Sequence, residues 1–193
     1  MTKWLSHRMV ERGIIKEEEQ ELYQFGIRNG MILLLNVVTA LVIGLLTEQL
    51  AVVAEFTLSF MVLRSYTGGY HSDSRIFCYL GSNLVLLVPV YTQAVFYKTS
   101  LARLLAVLLV SAGIIFLLSP MHSKNRKLDK EEQKHFGRKA RLIAALELAV
   151  LGILWHAGQI PYAYAVYTGI CITALFMLVG KAQLWIQSHT ENG

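Results

Sequence analysis

Two residues with the chemistry of a catalytic pair, His71 and Cys78, lie in a short polar stretch between two apolar runs. The stretch reads RSYTGGYHSDSRIFCYLG over residues 64–81. A cysteine thiol, with an ordinary pKa of about 8.5, is mostly protonated at neutral pH, and a neighbouring imidazole can remove its proton to form a thiolate nucleophile. That transfer requires the sulfur and a ring nitrogen to approach within about 3–4 Å.

A single straight helix would hold this pair apart. Seven residues of helix separate two Cα atoms by about 10 Å, so His71 and Cys78 can meet only if the helix is broken between them. Gly68-Gly69 permits backbone conformations that other residues avoid. Three consecutive residues of helix N-cap type follow: Ser72, Asp73 and Ser74. A cap there places Cys78 near the first turn of the next helix, where the helix dipole favours a thiolate.

Other roles also fit these residue types. A cysteine in an apolar helix is commonly a small buried hydrophobe, and a histidine beside a bilayer commonly lies at the interface. Zinc is a further alternative, with His71, Asp73 and Cys78 as ligands, although they lack a recognised zinc spacing. Cys171 lies in an apolar run with no titratable neighbour nearby, so we expect it to serve packing. We expect no disulfide between the two cysteines.

Two charged residues belong to the apolar run that precedes the dyad. Arg64, at its end, either extends to the lipid headgroups or grips a substrate carboxylate or a backbone carbonyl through its guanidinium. Glu55 lies within the run, where an ionisable group is a functional candidate by default; it could also pair with Arg64 or face a wet crevice. Spacing does not decide between these roles, and Glu55 is assigned none.

Membrane helices must position these residues, as the composition indicates. The 193 residues are 54% hydrophobic and 16% charged, whereas soluble domains carry about 25% charged residues. A transmembrane helix needs about 20 mostly apolar residues, and six runs approach that length: 29–47, 50–63, 76–97, 101–119, 142–157 and 162–180. The second is short and is a candidate for a kinked, tilted or partly re-entrant segment. We predict an all-α, polytopic membrane bundle of about six transmembrane segments, in one domain over 1–193.

Positive charge sets the expected orientation, because basic loops stay in the cytoplasm. With the N-terminus inside, all but two of the 18 Lys and Arg residues are cytoplasmic, the exceptions being Lys98 and Arg103. Both termini and the loop that carries His71 then face the cytoplasm. The net charge of +5 suits a membrane surface rather than nucleic acid, since the basic residues lie mostly in short loops.

Two polar segments complete the expected organisation. Residues 1–28 have apolar residues at roughly helical spacing with basic residues between them, which predicts an interfacial amphipathic helix that anchors the chain or docks a peptide. Residues 29–119 hold the first four membrane segments with the dyad, and 142–180 hold the last two. Residues 120–141, PMHSKNRKLDKEEQKHFGRKAR, are predicted to be a solvated basic loop that fixes the topology.

The pattern around the candidate dyad resembles that of a known family. Four residues fit R-x4-G-x-H-x6-C: Arg64, Gly69, His71 and Cys78. This pattern is similar to the active-site stretch of the AgrB family, the accessory gene regulator proteins of Gram-positive bacteria, which are membrane cysteine endopeptidases of peptide quorum sensing. The resemblance extends to Pro120, the Lys-Asn-Arg stretch at 124–126 and the acidic pair Glu131-Glu132. With the chain length and the order of the apolar runs, it spans most of the chain.

The resemblance implies a substrate and a reaction. An AgrD-like propeptide would lie on the inner leaflet of the bacterial cell membrane. Cys78, activated by His71, would release its acidic C-terminal tail and hold the remainder as a thioester, and a substrate thiol or hydroxyl would then close a thiolactone or lactone ring. Arg64 and Gly69 would take supporting roles. Asp73 is a further candidate, outside the family pattern, that could orient His71. The resemblance also implies a homodimer, and we expect no cofactor and no metal.

Two rival functions use the same helices. A non-catalytic peptide transporter or export helper would depend little on Cys78 and more on Glu55 and on small residues within the bundle. A metal-dependent membrane hydrolase would be inactivated by chelators and insensitive to thiol alkylation. The charged residues within the apolar runs are too few to suggest an ion pathway, which disfavours the transporter.

Overall fold

The computed structural model describes residues 2–68, 75–121 and 129–190, which form α-helices and one short 3-10 helix, with no strand among them. The α-helices are α1 (Thr2–Glu11), α2 (Gln20–Leu46), α3 (Leu50–Thr67), α4 (Arg75–Lys98), α5 (Leu101–Leu118), α6 (Lys130–His156) and α7 (Ile160–Thr190). The predicted all-α class is confirmed. Three candidate site residues lie outside the described residues: Gly69, His71 and Asp73.

Five helical segments within the described ranges are long and apolar enough to cross a membrane. They are Glu17–Leu46, Leu50–Thr67, Tyr79–Lys98, Leu101–Leu118 and Ile160–Ile186. The run at 50–63, expected to be short, continues helically to Thr67 and so covers 18 residues, about 27 Å of rise. The helix in this region is therefore long enough to span the hydrocarbon with little thinning of the bilayer.

The segment 120–141 is not a loop throughout, because α6 begins within it at Lys130. The Asp129 carboxylate accepts the Glu132 N–H at 2.7 Å, and the Glu132 carboxylate accepts the Asp129 N–H at 3.3 Å. This capping box satisfies N–H groups that a helix start otherwise leaves unpaired. The apolar run at 142–157 is thus the second half of a longer helix whose first half is charged, and α6 is not among the five spans.

The chain divides into two compact units, of which the first ends at Thr39. It contains α1, the 3-10 helix Glu17–Glu19 and the first part of α2. In α1 the Arg8 guanidinium lies 4.9 Å from the centre of the Trp4 ring. Beyond α1, Gly13 adopts φ +66°, a left-handed conformation that favours glycine after a helix end. The next long helix begins at Gln20, earlier than the predicted run at 29–47.

The second unit begins at Ala40 and is built around α7, which packs against α3, α4, α5 and α6. Small residues on α7 allow this close packing, as is usual between membrane helices. At Gly169 an added Cβ would lie 2.6 Å from the Ser59 Oγ atom on α3, so a larger residue does not fit there. The organisation of the chain as one domain stays a prediction.

Candidate active site

The structure describes the candidate site residues to different extents. Arg64 lies on α3 and its side chain is described. Cys78 is the fourth described residue of α4, and only its backbone is described. The side chain of Cys78 and all of His71 lie outside the described residues, so their contact stays a prediction. The structure describes α4 from Arg75 onward, and the position of Cys78 in the first turn of that helix stays a prediction.

The Arg64 side chain holds the end of α3. Its guanidinium donates a hydrogen bond to the carbonyl of Gly68 and lies 5.3 Å from the centre of the Phe176 ring on α7. The last carbonyls of a helix have no partners within the helix, and a guanidinium one turn back can satisfy one of them. This geometry favours the carbonyl grip among the roles that the sequence left open for Arg64.

Gly68 ends α3 in a conformation that requires glycine. Its φ is +72°, and a Cβ atom built on it would lie 2.5 Å from the backbone oxygen of Met121. The Met121 N–H also donates to the Thr67 carbonyl at 2.9 Å. The chain that leads into 69–74 therefore departs beside the chain that leads into 122–128. The first of these segments contains His71 and the second contains the Lys-Asn-Arg stretch at 124–126, so each holds one part of the family-like pattern.

The charged half of α6 packs against both departure points. A Cβ on Gly137 would lie 2.9 Å from Cδ of Pro120, so the helix and the proline are in close contact. The Lys139 ammonium lies 5.9 Å from the centre of the Tyr66 ring near the end of α3. The Arg141 guanidinium donates to the Phe116 carbonyl near the end of α5 at 3.2 Å. The ends of α3 and α5 and the charged half of α6 thus pack together in one frame, beside the points where the chain leads into 69–74 and 122–128.

A polar contact that sequence reasoning missed lies further along the bundle. The Ser59 hydroxyl on α3 donates to the Glu147 carboxylate on α6 at 2.8 Å. Glu55 lies close enough to Glu147 for the two carboxylates to interact electrostatically. Glu147 is the one acidic residue in the run at 142–157, and that isolation in an apolar run is the signal that could have identified it.

Cys171 has a more polar environment than the sequence predicted. Its thiol interacts with the hydroxyls of Ser111 on α5 and Tyr167 on α7. The expectation of no titratable neighbour is therefore wrong, because Tyr167 lies one helical turn before Cys171 and faces the same side. The thiol is free, and these contacts give it a structural setting between two helices.

No group of three or more His, Cys, Asp or Glu side chains that could hold a metal ion occurs in the ranges that the structure describes. The zinc alternative named His71, Asp73 and Cys78, whose side chains lie outside those ranges. The structure therefore does not describe the side chain of any of the three residues that this alternative names as zinc ligands.

Comparisons with known proteins agree on one family. The family model for accessory gene regulator B, AgrB, matches residues 1–178. A Clostridium perfringens SM101 protein described only as AgrB-like is 23% identical over 148 residues, 74% of this chain and 69% of that protein. A second AgrB-like protein, from C. perfringens strain 13, is 25% identical over 134 residues, 65% of this chain and 61% of that protein. No solved structure matches significantly.

Proposed function

The chain belongs to the accessory gene regulator B family, and on that premise we propose that it is a membrane cysteine endopeptidase that processes and cyclises an AgrD-like propeptide. The observation that carries the proposal is the family match over residues 1–178, which contains the whole pattern from Arg64 to Cys78. Membership fits a role in quorum-sensing peptide processing. The catalytic pair and the ring chemistry are the proposed part.

In the proposed first step, His71 takes the thiol proton of Cys78 and the sulfur attacks the carbonyl carbon of the scissile bond. The C–N bond breaks, and the new amine of the tail receives the proton from the imidazolium. A thioester between the propeptide and Cys78 remains. The sequence predicts a helix N-terminus near Cys78, which would lower the cost of forming a thiolate.

In the second step a thiol of the bound propeptide replaces Cys78 on the acyl carbon. His71 removes the proton of the attacking thiol, or of a hydroxyl, and returns it to the departing sulfur of Cys78. The product is a thiolactone or a lactone. Transfer of the acyl group from the Cys78 sulfur to another thiol is nearly balanced in free energy. Departure of the tail therefore helps to draw the reaction forward. A site at the membrane interface helps to keep water from the thioester.

Three further residues take supporting roles in the proposal. Arg64 braces the end of α3 through the Gly68 carbonyl, which would fix the direction in which the chain leaves toward His71. Gly69 would shape the turn that delivers the histidine, and Asp73 would orient its ring. The proposed site faces the cytoplasm, since the basic residues on α6 favour that side.

Retention of the substrate on Cys78 is the direct test. Purified protein in lipid vesicles is mixed with an AgrD-like propeptide, quenched in acid and analysed by intact-protein mass spectrometry. We expect an adduct equal to the propeptide minus its tail, absent from Cys78→Ala and retained in Cys171→Ala. His71→Gln should slow adduct formation by about 100-fold or more, the usual scale for a general base.

A peptide transporter is the rival, and one observation favours it: Glu55, in the membrane-spanning segment Leu50–Thr67, lies near Glu147 in the apolar half of α6. Ion-coupled transport would depend on these groups and not on Cys78. An uncut propeptide and an unmodified protein mass, together with peptide uptake that Cys78→Ala preserves and Glu147→Gln abolishes, would replace the peptidase by the transporter.

A further inference from the structure

The helix that carries Cys78 has a proline in its interior. Pro89 lies within α4 and its side chain is fully buried. A proline has no N–H to donate to the carbonyl four residues earlier, here that of Val85, and its ring clashes with the same carbonyl. Sharp bends of more than about 20° in helices occur at such positions. The direction of the half of α4 that carries Cys78 therefore depends on the backbone geometry at Pro89.

Tyr164 on α7 holds the turn of α4 at this proline. Its hydroxyl donates to the Pro89 carbonyl at 2.9 Å and lies 2.6 Å from the hydroxyl oxygen of Thr92. The proline ring fixes φ of Pro89 near about −65°. The orientation of the carbonyl depends on ψ of the same residue, so the hydrogen bond from Tyr164 constrains the second backbone dihedral as well.

The half of α4 that follows the proline is packed into the core of the second unit. Phe96 is 6% exposed, and its ring centre lies 4.8 Å from that of Tyr164 and 5.3 Å from that of Tyr167. The ring centre of Trp155 on α6 lies 6.2 Å away. This half of the helix is therefore fixed against α6 and α7, and Tyr164 belongs to the same aromatic cluster.

The half that precedes the proline is packed more loosely. None of the residues 79–85 is fully buried, and Leu80 and Leu84 are 50% and 67% exposed. A Cβ atom built on Gly81 meets no atom within 4 Å, so no close helix contact requires this glycine, and glycine weakens a helix interior. Few side-chain contacts thus oppose a change in the direction of this half.

We propose that Tyr164 is a positioning residue: its hydroxyl fixes the bend at Pro89 and, through the loosely packed half of α4, the place of Cys78. The consequence for catalysis rests on the proposed peptidase function. The helix between Cys78 and Pro89 is about 16 Å long, so a change of about 10° in the bend moves it by about 3 Å at Cys78. A displacement of about 1 Å can cost about 100-fold in rate. Tyr164 thus acts on the reaction without touching the reacting atoms.

The bend can be measured without any assay of peptide processing. Spin labels at Leu80 and Leu117 report the distance from the loosely packed half of α4 to α5, and labels at Val95 and Leu117 report on the fixed half. All three positions are exposed. Both native cysteines are replaced by serine, and the full chain is reconstituted into lipid vesicles for pulsed electron paramagnetic resonance.

Tyr164→Phe removes the hydroxyl and keeps the ring. We expect the Leu80–Leu117 distance distribution to broaden or shift by about 3 Å or more, as the bend predicts, while the Val95–Leu117 distribution stays unchanged. Tyr91→Phe is the matched control, because it removes a hydroxyl from an exposed tyrosine of the same helix. An unchanged Leu80–Leu117 distribution in Tyr164→Phe overturns the proposal.

Pro89→Ala tests whether the hydroxyl acts through the proline. Alanine restores the N–H and favours a straight helix, so the bend that Tyr164 holds is absent from this variant. Adding Tyr164→Phe to Pro89→Ala should therefore cause no further change in the Leu80–Leu117 distance, and equal changes in both backgrounds overturn the proposal. Size-exclusion chromatography and thermal unfolding establish that each variant is folded.

The catalytic consequence is measured separately, by adduct formation in protein that retains Cys78. We expect Tyr164→Phe to lower the maximal rate at saturating propeptide by about tenfold or more, with the half-saturating concentration unchanged. A normal maximal rate with weaker binding overturns the positioning role. If the wild type forms no adduct and the Leu80–Leu117 distance still responds to Tyr164→Phe, the peptidase proposal fails and the control of the bend by Tyr164 is confirmed.

Discussion

Gly68 combines two constraints that only glycine meets. Its φ of +72° lies in the left-handed region, and its Cα faces the backbone oxygen of Met121 so closely that an added Cβ would lie 2.5 Å from it. Either constraint costs a side chain of order 1–3 kcal/mol. The position therefore fixes both the direction of the chain after α3 and its contact with the segment after Pro120.

Gly68→Ala should lower the thermal stability in detergent and abolish peptide processing. The reason is that the alanine must move either the end of α3 or Met121, and both lead into the segments that carry the family-like pattern. Gly113→Ala is the control, because that glycine is helical with open space at Cβ and alanine is the better helix former by about 1 kcal/mol. Equal stability of the two variants would contradict the proposed constraint.

Arg64 should not be replaceable by lysine. The guanidinium both donates to the Gly68 carbonyl and lies over the Phe176 ring, and an ammonium group cannot reproduce this planar arrangement. We expect Arg64→Lys to fold, with a shift in melting temperature of a few degrees, and to lose at least tenfold in the rate of tail release. A variant with wild-type rate would show that charge alone is needed.

At the scale of single residues, the sequence predicts the candidate catalytic pattern but not the contacts that hold the neighbouring helix ends in place. His71, Cys78 and Arg64 were recognisable because their types and spacing occur together in the chain. The pairing of Thr67 with Met121 was not predictable, because it joins backbone groups far apart in sequence and depends on how α3 and α5 end. Glu147 was predictable in principle as an isolated carboxyl in an apolar run, although its partner Ser59 was not.

Among the helices, α3 is held between α6 and α7 by two kinds of contact. The Ser59–Glu147 hydrogen bond connects it to α6, and Gly169 brings it close to α7. Hydrogen bonds between membrane helices contribute about 0.6 kcal/mol on average, whereas a side chain forced into a packed contact costs about 1–3 kcal/mol. The packing at Gly169 is therefore the stronger determinant of where α3 lies.

Gly169→Ala should destabilise the bundle, because its methyl group would lie 2.6 Å from the Ser59 hydroxyl oxygen. Ser59→Ala removes that oxygen, leaving a 3.1 Å approach to the Ser59 Cβ atom. The double variant should accordingly recover part of the loss. Thermal unfolding of the four proteins in a double-mutant cycle measures the coupling, and strict additivity would contradict direct contact between these positions.

The helices themselves were predicted better than their ends. Apolar runs locate membrane helices because every backbone polar group in hydrocarbon must be paired within the segment, and the runs at 50–63 and 101–119 became α3 and α5. The charge of 120–141 predicts a loop, whereas α6 begins within this segment at Lys130. Asp129 and Glu132 fit a capping pattern that was already visible in the sequence and outweighs the polar composition.

For the whole molecule, orientation in the membrane decides which substrates can reach the proposed site. The frame at the ends of α3 and α5 includes Lys139 and Arg141 of α6. Lys98 at the end of α4 and Arg103 at the start of α5 lie toward the opposite end of the second unit. The basic residues of α6 favour a cytoplasmic frame. In that orientation, a propeptide made in the cytoplasm would meet the proposed site directly.

Thiol labelling in intact cells tests that orientation with two matched lysines. In a background with Cys78 and Cys171 both replaced by serine, Lys98→Cys should react with a membrane-impermeant maleimide in intact cells. Lys134→Cys, exposed on the charged half of α6, should react only after the membrane is permeabilised. The reverse pattern would place the site outside the cell, where a cytoplasmic propeptide could reach it only after export, and the order of processing and export would then have to be reversed.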